Sequence, residues 1–465
     1  MNPSTLPTLA QLGSLHGEHC RWLQRDTEVV LREHGLDTLF LHSGTPQKRT
    51  SFDDIYWPLR PSPWFMHWAP LAEAGCTLIV RPGHKPLLLR LREFDFWEAP
   101  PAPESDHFWA AFEVREGSRA ALLAEAKSIA SSASGRAAFI GDDLAAAREL
   151  GLGEAANPPS LMRALDVLRV TKSPYEELCL AEANRRASVG HDELRALFAA
   201  GDLPELQLHL SYLRATSQDD SETPYKNIVA LGAHAATLHH VSYEKRAAPS
   251  LSLLVDAGAS FAGYCSDITR TWVKGGGAGA SVFAALVAQV EALQQKLCGE
   301  ARPGREYESL HDEAHQLVAE ALRTVGVAKV SAAELVSSGL TRAFFPHGLG
   351  HSLGLVCHDV GCALKAPRAE NAWLRNTSVI AERQTFTIEP GVYFIDALLA
   401  PFRAGPHASG IDWALCDELA KFGGVRIEDD VVVGARGVRN LTRERLPQGG
   451  GAPGRTQPDP ALASR

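Results

Sequence analysis

Two aspartates stand where strand-like segments end or begin, at a spacing that suits a shared site. Asp256 ends the apolar run 251–255, and Asp267 stands directly ahead of the strand-like segment 268–273. Glycines between the two segments permit a hairpin, which would place both aspartates side by side. Two buried carboxylates repel each other and raise the pKa of one of them, so such a pair normally needs a metal or a shared proton.

Two further carboxylates follow strand-like runs nearer the C-terminus. Glu389 follows the run 386–388 and precedes a Pro-Gly pair, and Glu428 lies shortly before the valines 431–433. Each of them alone is typical of a solvated residue at the end of a strand. Arg426 precedes Glu428 by two positions, so both side chains would share one face of a strand. That arginine could engage a substrate carboxylate or an adjacent acid, and a structural salt bridge is the alternative.

Histidines occur in two groups that could contribute imidazoles to the same cleft. His347 and His351 belong to the segment His-Gly-Leu-Gly-His, which His358 follows, and His239 and His240 lie upstream of Asp256. A zincin helix needs Glu after the first histidine, and glycines are poor in helices, so we expect a glycine-rich turn or an irregular strand. Any one histidine could be an ordinary core residue. Their combination with four strand-embedded carboxylates favours a metal centre.

The elements that must position these residues fall into two domains. Residues 1–160 alternate a helical pattern at 16–35 with β-type runs at 38–41, 77–80, 86–91 and 137–140, which predicts a compact α/β domain. Tryptophans crowd this half, either as core anchors or as a substrate-shielding or subunit-contact surface, at Trp57, Trp64, Trp68, Trp97 and Trp109. The predicted fold class is therefore α/β, or α+β for the whole chain.

The second domain is predicted to span residues 161–446 and to begin with linker helices. One helix is expected at 161–170, and a second starts with Ser173 as cap, Pro174 in the first turn and Glu176 completing a capping box. Strands and tight turns follow from Ile228, with helices at 282–297 and 311–325. Residues 447–465 are rich in Gly, Pro, Gln and Ser and are predicted to form a disordered tail.

Composition excludes several classes of function. With 45% hydrophobic and 22% charged residues the chain can bury a core, and its formal net charge of −9 disfavours nucleic acid or an anionic membrane as partner. The sequence contains no run of 18 or more apolar residues, so no transmembrane helix is expected. The first ten residues do not resemble a signal peptide. The eight scattered cysteines are typical of a reduced protein, so a cytoplasmic location is expected.

Five sequence blocks follow one another in order and with consistent spacing between about Tyr225 and Val433. The blocks are Val-Asp-Ala-Gly-Ala at 255–259, Ser-Asp-Ile-Thr-Arg-Thr at 266–271, Phe-Pro-His-Gly-Leu-Gly-His at 345–351, Thr-Ile-Glu-Pro-Gly at 387–391 and Gly-Gly-Val-Arg-Ile-Glu-Asp at 423–429. Together they resemble the prolidase/aminopeptidase P family of pita-bread dinuclear metallopeptidases. The segments 225–231 and 56–58 are similar to the bacterial Xaa-Pro dipeptidase branch, which includes organophosphorus acid anhydrolases. The resemblance implies a creatinase/prolidase-like N-terminal α/β domain and a pita-bread catalytic domain.

The resemblance also implies the roles of individual residues. The implied metal ligands are Asp256, Asp267, His351, Glu389 and Glu428. His239, His358 and Arg426 match positions that bind substrate or stabilise the transition state, His347 would support them, and Tyr225 would line the substrate pocket. Two residues depart from the family pattern, since His240 replaces a tyrosine and Cys362 replaces a glycine.

Four carboxylates and one imidazole form an oxygen-rich donor set, which suits Mn²⁺ better than the sulfur- and nitrogen-rich sites typical of structural Zn²⁺. Two Mn²⁺ ions are therefore expected, and Co²⁺ or Zn²⁺ are the alternatives. Paired metals roughly 3.5–4 Å apart share a water and lower its pKa towards about 7, giving a bridging hydroxide that attacks the peptide carbonyl. Glu389 is the expected acceptor of the water's proton, which it would pass to the leaving nitrogen.

The expected activity is metal-dependent hydrolysis of Xaa-Pro dipeptides, with a side activity on organophosphate triesters. The alternatives are aminopeptidase P-type removal of the first residue from longer Xaa-Pro peptides, phosphotriester hydrolysis as the main activity, and a non-catalytic binding module on the same fold. The family resemblance further implies a homodimer and an N-terminal domain that narrows the cleft to dipeptides.

Overall fold

The chain divides into two compact units in the computed structural model, which describes residues 8–93, 105–133, 136–362 and 364–453. The first unit contains residues 1–179, 261–264 and 354–356, and the second contains residues 180–260, 265–353 and 357–465. Within the described ranges, no helix has both the length and the apolar character that crossing a bilayer requires.

The first unit is an α/β domain built on one mixed five-stranded sheet. Its strands are β1 Thr38–His42, β2 Thr77–Val80, β3 Leu87–Leu91, β4 Glu113–Gly117 and β5 Ala137–Ile140, in the spatial order β4-β3-β2-β1-β5. Its helices are α1 Leu9–Glu33, α2 Pro63–Met66, α3 Arg119–Ser132, α4 Leu144–Glu149 and α5 Pro159–Val170. The predicted α/β class and the predicted strands are confirmed, because each strand is a short apolar run between turn residues.

Helix α1 begins earlier than the expected start at residue 16. Thr8 caps it through a bond from the Gln11 backbone N–H to the threonine side chain, and Gln11 bonds back to the Thr8 backbone. This capping box was not apparent from the apolar periodicity alone. Trp68 lies in the core of the unit and Trp64 packs against that core, whereas Trp57 is exposed. Trp97 lies outside the described residues.

Helix α6 (Pro174–Ala200) starts as its sequence predicts. The Ser173 backbone N–H donates to Glu176 Oε2 at 2.6 Å, and the Glu176 N–H donates to Ser173 Oγ at 3.3 Å. The two bonds satisfy backbone donors that have no partner inside the helix. The predicted capping box is therefore confirmed.

The second unit combines small sheets with long helices. Its strands are β6 Ile228–Leu231, β7 Ser252–Asp256, β10 Thr269–Val273, β11 Thr385–Ile388, β12 Gly391–Tyr393, β13 Gly424–Arg426, β14 Asp429–Gly434, β15 Gly437–Asn440 and β16 Gly450–Gly451. The short strands β8 Ser260–Phe261 and β9 Tyr264–Cys265, which include residues assigned to the first unit, form a two-stranded sheet of their own. Its further helices are α7 Glu205–Thr216, α8 Ala278–Glu300, α9 Tyr307–Thr324, α10 Ala332–Ser337, α11 Leu340–Phe344, α12 Asp396–Arg403 and α13 Trp413–Leu419. The helices predicted at 282–297 and 311–325 correspond to α8 and α9.

The sheets of this unit bring distant segments into register. One sheet has the order β16-β10-β7-β6, a second has β11-β14-β15, and β12 pairs with β13. Because β16 pairs in parallel with β10, the prediction of disorder from residue 447 is wrong for the described residues 447–453. Residues 454–465 of the predicted tail lie outside the described residues. Apolar side chains of α8, α9, β11 and β14 form the main core beneath these sheets.

Candidate metal centre

The antiparallel pair β7 and β10 brings the two aspartates together, as the hairpin prediction requires. Asp256 closes β7 opposite Thr269, and Asp267 lies two residues before that threonine. Both aspartates are buried. The Tyr225 hydroxyl donates to Asp267 Oδ1 at 2.5 Å, and the Asp267 backbone N–H donates to Asp430 Oδ2 at 3.0 Å. The tyrosine thus orients the Asp267 carboxylate, and Asp430 fixes the backbone that carries it.

The glycine-rich segment that carries His351 runs irregularly beside β11. The Thr387 N–H donates to the His351 carbonyl at 2.9 Å, and the Glu389 N–H donates to the Leu349 carbonyl at 2.8 Å. A Cβ at Gly350 would lie 2.2 Å from the Thr387 carbonyl oxygen, so only glycine permits this close approach. The predicted irregular strand is confirmed, and it places the His351 ring next to the end of β11.

Three of the predicted carboxylates surround one nitrogen of His351. Its Nε2 lies 3.2 Å from Asp267 Oδ2, 3.7 Å from Glu389 Oε1 and 3.9 Å from Glu428 Oε1. Glu389 follows β11, and Glu428 lies between β13 and β14 with its N–H donating to the Thr269 carbonyl at 3.1 Å. Ligand atoms of Asp267, His351 and Glu428 all lie within 4.8 Å of one another.

The electrostatics of this cluster suit divalent cations. Burial and the neighbouring acids raise the pKa of Glu428 well above its usual value, burial raises that of Glu389 to about 7, and burial also raises that of Asp256. Among the described residues none hydrogen-bonds Oδ1 of Asp256. Burying several carboxyl groups close together, one of them with an oxygen that accepts no hydrogen bond, costs free energy unless positive charge compensates them. The donor set, four carboxylates and one imidazole, therefore fits two divalent ions.

The pKa values of Asp267 and His351 shift in the directions that favour their charged forms, because the two side chains face each other. Burial opposes ionisation of Asp267, but hydrogen bonds from His351, Cys357 and Tyr225 outweigh it and lower its pKa. Burial alone would lower the pKa of His351, yet the hydrogen bond and the charge of Asp267 raise it to about 9. A cation at this point would replace the imidazolium proton as the partner of Asp267.

Arg426 is held by an acid of the cluster. Its Nη2 donates to Asp256 Oδ2 at 2.7 Å, its Nη1 donates to the Tyr393 hydroxyl at 2.8 Å, and its Nε donates to Thr269 Oγ1 at 3.2 Å. The side chain is almost fully buried. The contact with Asp256 is a buried salt bridge, so it fits two of the alternatives left by the sequence, engagement of an adjacent acid and a structural salt bridge.

His347 continues this network towards Glu389. Its Nδ1 donates to the Gly348 carbonyl at 2.8 Å, which leaves Nε2 to accept from the Tyr393 hydroxyl at 2.8 Å. Burial and the charge of Arg426 lower the pKa of His347 to about 3, so the ring is neutral. Its Nδ1 also lies 3.7 Å from Glu389 Oε2.

His239 and His358 differ from the buried ligands because both are exposed. The His358 ring packs edge-on against His351 with 4.5 Å between the ring centroids, and Arg375 lies 3.4 Å from its Nδ1. His239 lies close enough for its charge to lower the pKa of both His347 and His358. The structure therefore brings every predicted site residue to one region of the second unit.

Three residues of this region were missed by the sequence reasoning. The Cys357 thiol donates to Asp267 Oδ2 at 2.9 Å, the Thr269 hydroxyl donates to Glu428 Oε2 at 2.6 Å, and Tyr393 joins Arg426 to His347. Thr269 could have been found from its position two residues after Asp267, at the start of the strand-like segment, where alternate side chains share a face. The positions of Cys357 and Tyr393 carry no such signal, since only the folded chain brings them to the acids.

Comparison with known proteins agrees with this geometry. The model of metallopeptidase family M24 matches residues 179–435, and that of the Xaa-Pro dipeptidase N-terminal domain matches residues 14–167. An Xaa-Pro dipeptidase of Marinobacter nauticus is 42% identical over 434 residues, covering 92% of this chain and 98% of the relative. An Xaa-Pro dipeptidase of Aeromonas hydrophila is 38% identical over 451 residues, covering 94% and 99%.

Solved structures of lower identity share the fold. Aminopeptidase PepP of Pseudomonas aeruginosa superposes with a TM-score of 0.69 at 22% identity, covering 91% of this chain and 95% of that one. Proline aminopeptidase P II of Yersinia pestis gives 0.68 at 21% identity, covering 92% and 96%. The family model that matches residues 179–435 and the clustered candidate ligands place the chain among the metallopeptidases. The chain belongs to metallopeptidase family M24. Membership in this family implies a dinuclear divalent metal site, and the structure provides clustered candidate ligands for it.

Proposed function

We propose that the protein is a metal-dependent dipeptidase that cleaves the bond before a C-terminal proline. The observation that carries this function is the ring of three carboxylates around His351 Nε2, at 3.2 to 3.9 Å, in a chain that belongs to family M24. The dipeptide substrate class is supported by relatives named Xaa-Pro dipeptidase that match nearly the whole chain. No observation favours cleavage of longer peptides or of phosphotriesters.

The residues that would hold the two ions are Asp256, Asp267, His351, Glu389 and Glu428. Two divalent cations supply Lewis acidity to the scissile carbonyl and lower the pKa of water when they are bound. Mn²⁺ is the proposed metal, because carboxylate oxygens dominate the donor set and only one imidazole contributes.

Glu389 is the proposed proton carrier of the reaction. A carboxylate beside the ions can accept a proton from water and return it at neutral pH, and in the metal-free site burial raises the pKa of this carboxyl to about 7. The proton would be received on a carboxylate oxygen and delivered to the proline nitrogen as the peptide bond breaks. This nitrogen carries no hydrogen in the substrate, because the bond before proline is a tertiary amide.

His239 and His358 are the proposed contacts to substrate. Both imidazoles are exposed beside the buried cluster, so they can donate to a substrate oxygen that gains negative charge. Arg426 and His347 are proposed to act through the residues that they hold. Arg426 orients Asp256, and Tyr393 links the arginine to the neutral His347 next to Glu389.

Tyr225→Phe is expected to weaken Mn²⁺ binding roughly 10- to 100-fold, because it removes the hydroxyl that orients the Asp267 carboxylate. Titration of chelator-stripped protein, with unbound Mn²⁺ followed by electron paramagnetic resonance, measures the change. Tyr212→Phe is a matched control, since among the described residues nothing hydrogen-bonds the buried Tyr212 hydroxyl. An unchanged Mn²⁺ affinity in Tyr225→Phe would show that this bond does not orient a ligand.

The proposed activity is tested on a panel of Xaa-Pro dipeptides, with Leu-Ala and an Xaa-Pro-Yaa tripeptide as controls. Protein stripped with a chelator is expected to be inactive, and Mn²⁺ is expected to restore cleavage of the Xaa-Pro dipeptides alone. Cleavage of the tripeptide would instead indicate an aminopeptidase P. If the protein binds metal and cleaves no peptide, the proposal is wrong.

The proposed location is the cytoplasm, and the proposed assembly is a homodimer. All eight cysteines lie in the described residues and none is in a disulfide, as expected for a reducing compartment. The homodimer rests on the family resemblance of the sequence.

A further inference from the structure

A second group of metal-ligating side chains lies around Glu205, at the start of helix α7. The Glu205 carboxylate is fully buried and accepts four hydrogen bonds. Oε1 accepts from the Leu231 N–H at 2.9 Å and from His234 Nδ1 at 2.7 Å, and Oε2 accepts from the Glu244 N–H and from His240 Nε2, both at 2.8 Å. Two imidazoles therefore direct one nitrogen each at a single carboxylate.

The two imidazoles are arranged as a pair. The rings of His234 and His240 stack at 4.6 Å between centroids with an interplanar angle of 27°. The His234 side chain is 48% exposed and that of His240 is 12% exposed. Ring stacking and the shared carboxylate fix the orientation of His234 Nδ1 and His240 Nε2 before any ligand binds. This preorganisation reduces the entropy cost of ligand binding.

The charge of the group suits a cation. Burial opposes ionisation of Glu205, but hydrogen bonds from the Glu244 backbone, His240, the Leu231 backbone and His234 outweigh it and lower its pKa. A carboxylate and two neutral imidazoles form a common ligand set for Zn²⁺. Glu205 and His234 also line a cavity of about 450 Å³, which offers room for water as a further ligand.

We propose that Glu205, His234 and His240 form a third divalent-metal site, suited to Zn²⁺ and separate from the proposed dinuclear centre. Their ligand atoms lie within 4.8 Å of one another. Two ligands of one tetrahedral zinc ion lie roughly 3.3 Å apart, so the contacts of 2.7 and 2.8 Å between carboxylate and imidazoles would lengthen by only about half an ångström when the ion binds. Each imidazole would present to the ion a nitrogen that carries no proton and would hold its proton on the other nitrogen, and the carboxylate would keep its two backbone bonds.

The site depends on a residue in which this chain departs from the pattern of its family. His240 stands where the family resemblance implies a tyrosine, and a phenol is a poor ligand for Zn²⁺ at neutral pH compared with an imidazole. His240→Tyr therefore removes one of the three ligands and introduces the residue that the family resemblance implies at this position.

The test counts metal ions in the holoenzyme. Mn²⁺-loaded enzyme is equilibrated with Zn²⁺ buffered by a competing chelator and then desalted, and both metals are measured per chain by mass spectrometry. Wild-type protein is expected to hold one more ion, Mn²⁺ and Zn²⁺ together, than His240→Tyr and His234→Gln. His84→Gln is the matched control, since His84 is exposed and belongs to the first unit, and it should match the wild type.

Equal metal content in wild type and both variants would overturn the proposal. Thermal denaturation of each variant shows that it is folded, and either variant alone suffices if the other does not fold. The readout is a difference in metal content, so it is independent of peptide cleavage. A loss of one ion in an enzyme that proves inactive on dipeptides would support this site and contradict only the proposed function.

Discussion

Glu389→Gln is expected to lower kcat for an Xaa-Pro dipeptide by about a thousandfold, within the range that general acid–base catalysis contributes. The amide keeps the size of the side chain but cannot accept a proton and carries no charge to bind a cation. In the metal-free site burial raises the pKa of this carboxyl to about 7, and its Oε1 lies 3.7 Å from His351 Nε2. Steady-state kinetics with Mn²⁺ in excess measures the loss.

Glu382→Gln is the matched control, because Glu382 is exposed just before the same strand β11. It should retain wild-type kcat and KM. The Mn²⁺ content of Glu389→Gln, measured alongside, separates loss of a ligand from loss of the proton carrier. Wild-type kcat in folded Glu389→Gln would remove this residue from the chemistry.

Chelator-stripped protein is expected to lose stability as the pH rises, and Mn²⁺ is expected to suppress that loss. The pKa of Glu389 rises from 4.5 to about 7 on folding, so the folded chain holds a proton that the unfolded chain releases. Its contribution is complete below pH 4.5 and is lost as the pH rises through 7, which amounts to about 3 kcal/mol.

Other groups of the cluster act in the same direction. Burial also raises the pKa of Glu428 and of Asp256, and the raised pKa of His351, about 9, extends the loss to higher pH. Asp267 acts in the opposite direction. Its pKa is lowered in the folded chain, so its contribution to stability is lost as the pH falls. Urea denaturation at pH 5.5 and pH 8.5, with and without Mn²⁺, measures the balance.

The control for this experiment is the stripped form of Glu389→Gln. Its free energy of unfolding should depend less on pH between 4.5 and 7 than that of the stripped wild type, because the variant lacks the titrating group. The same pH dependence with and without Mn²⁺ in the wild type would contradict a cation at these acids.

Local features of the fold could be predicted because neighbouring residues determine them. The strand Thr77–Val80 is a short apolar run between turn residues, and its limits agree with the prediction. Helix α6 begins where Ser173 and Glu176 form a capping box. The hairpin pairing of β7 and β10 followed from two strand-like runs with glycines between them.

Contacts between distant segments could not be predicted in this way. The stretch 447–453 has the composition of a disordered tail, yet β16 pairs with β10 because that edge offers unpaired backbone groups. The Arg426 side chain had several candidate partners in the sequence, and Asp256 is 170 positions away. Cys357 and Tyr393 reach the acids only after the chain has folded.

The sequence by itself determined which residue types meet at the candidate centre and in what order, since strand ends and glycine-rich turns are encoded locally. The tertiary structure alone decided which atoms face each other. It directed Arg426 to Asp256, His347 to Tyr393, and His234 and His240 to the buried Glu205. The physical reason is that burial removes water as a partner, so each polar side chain must find a counterpart among residues that only folding brings near.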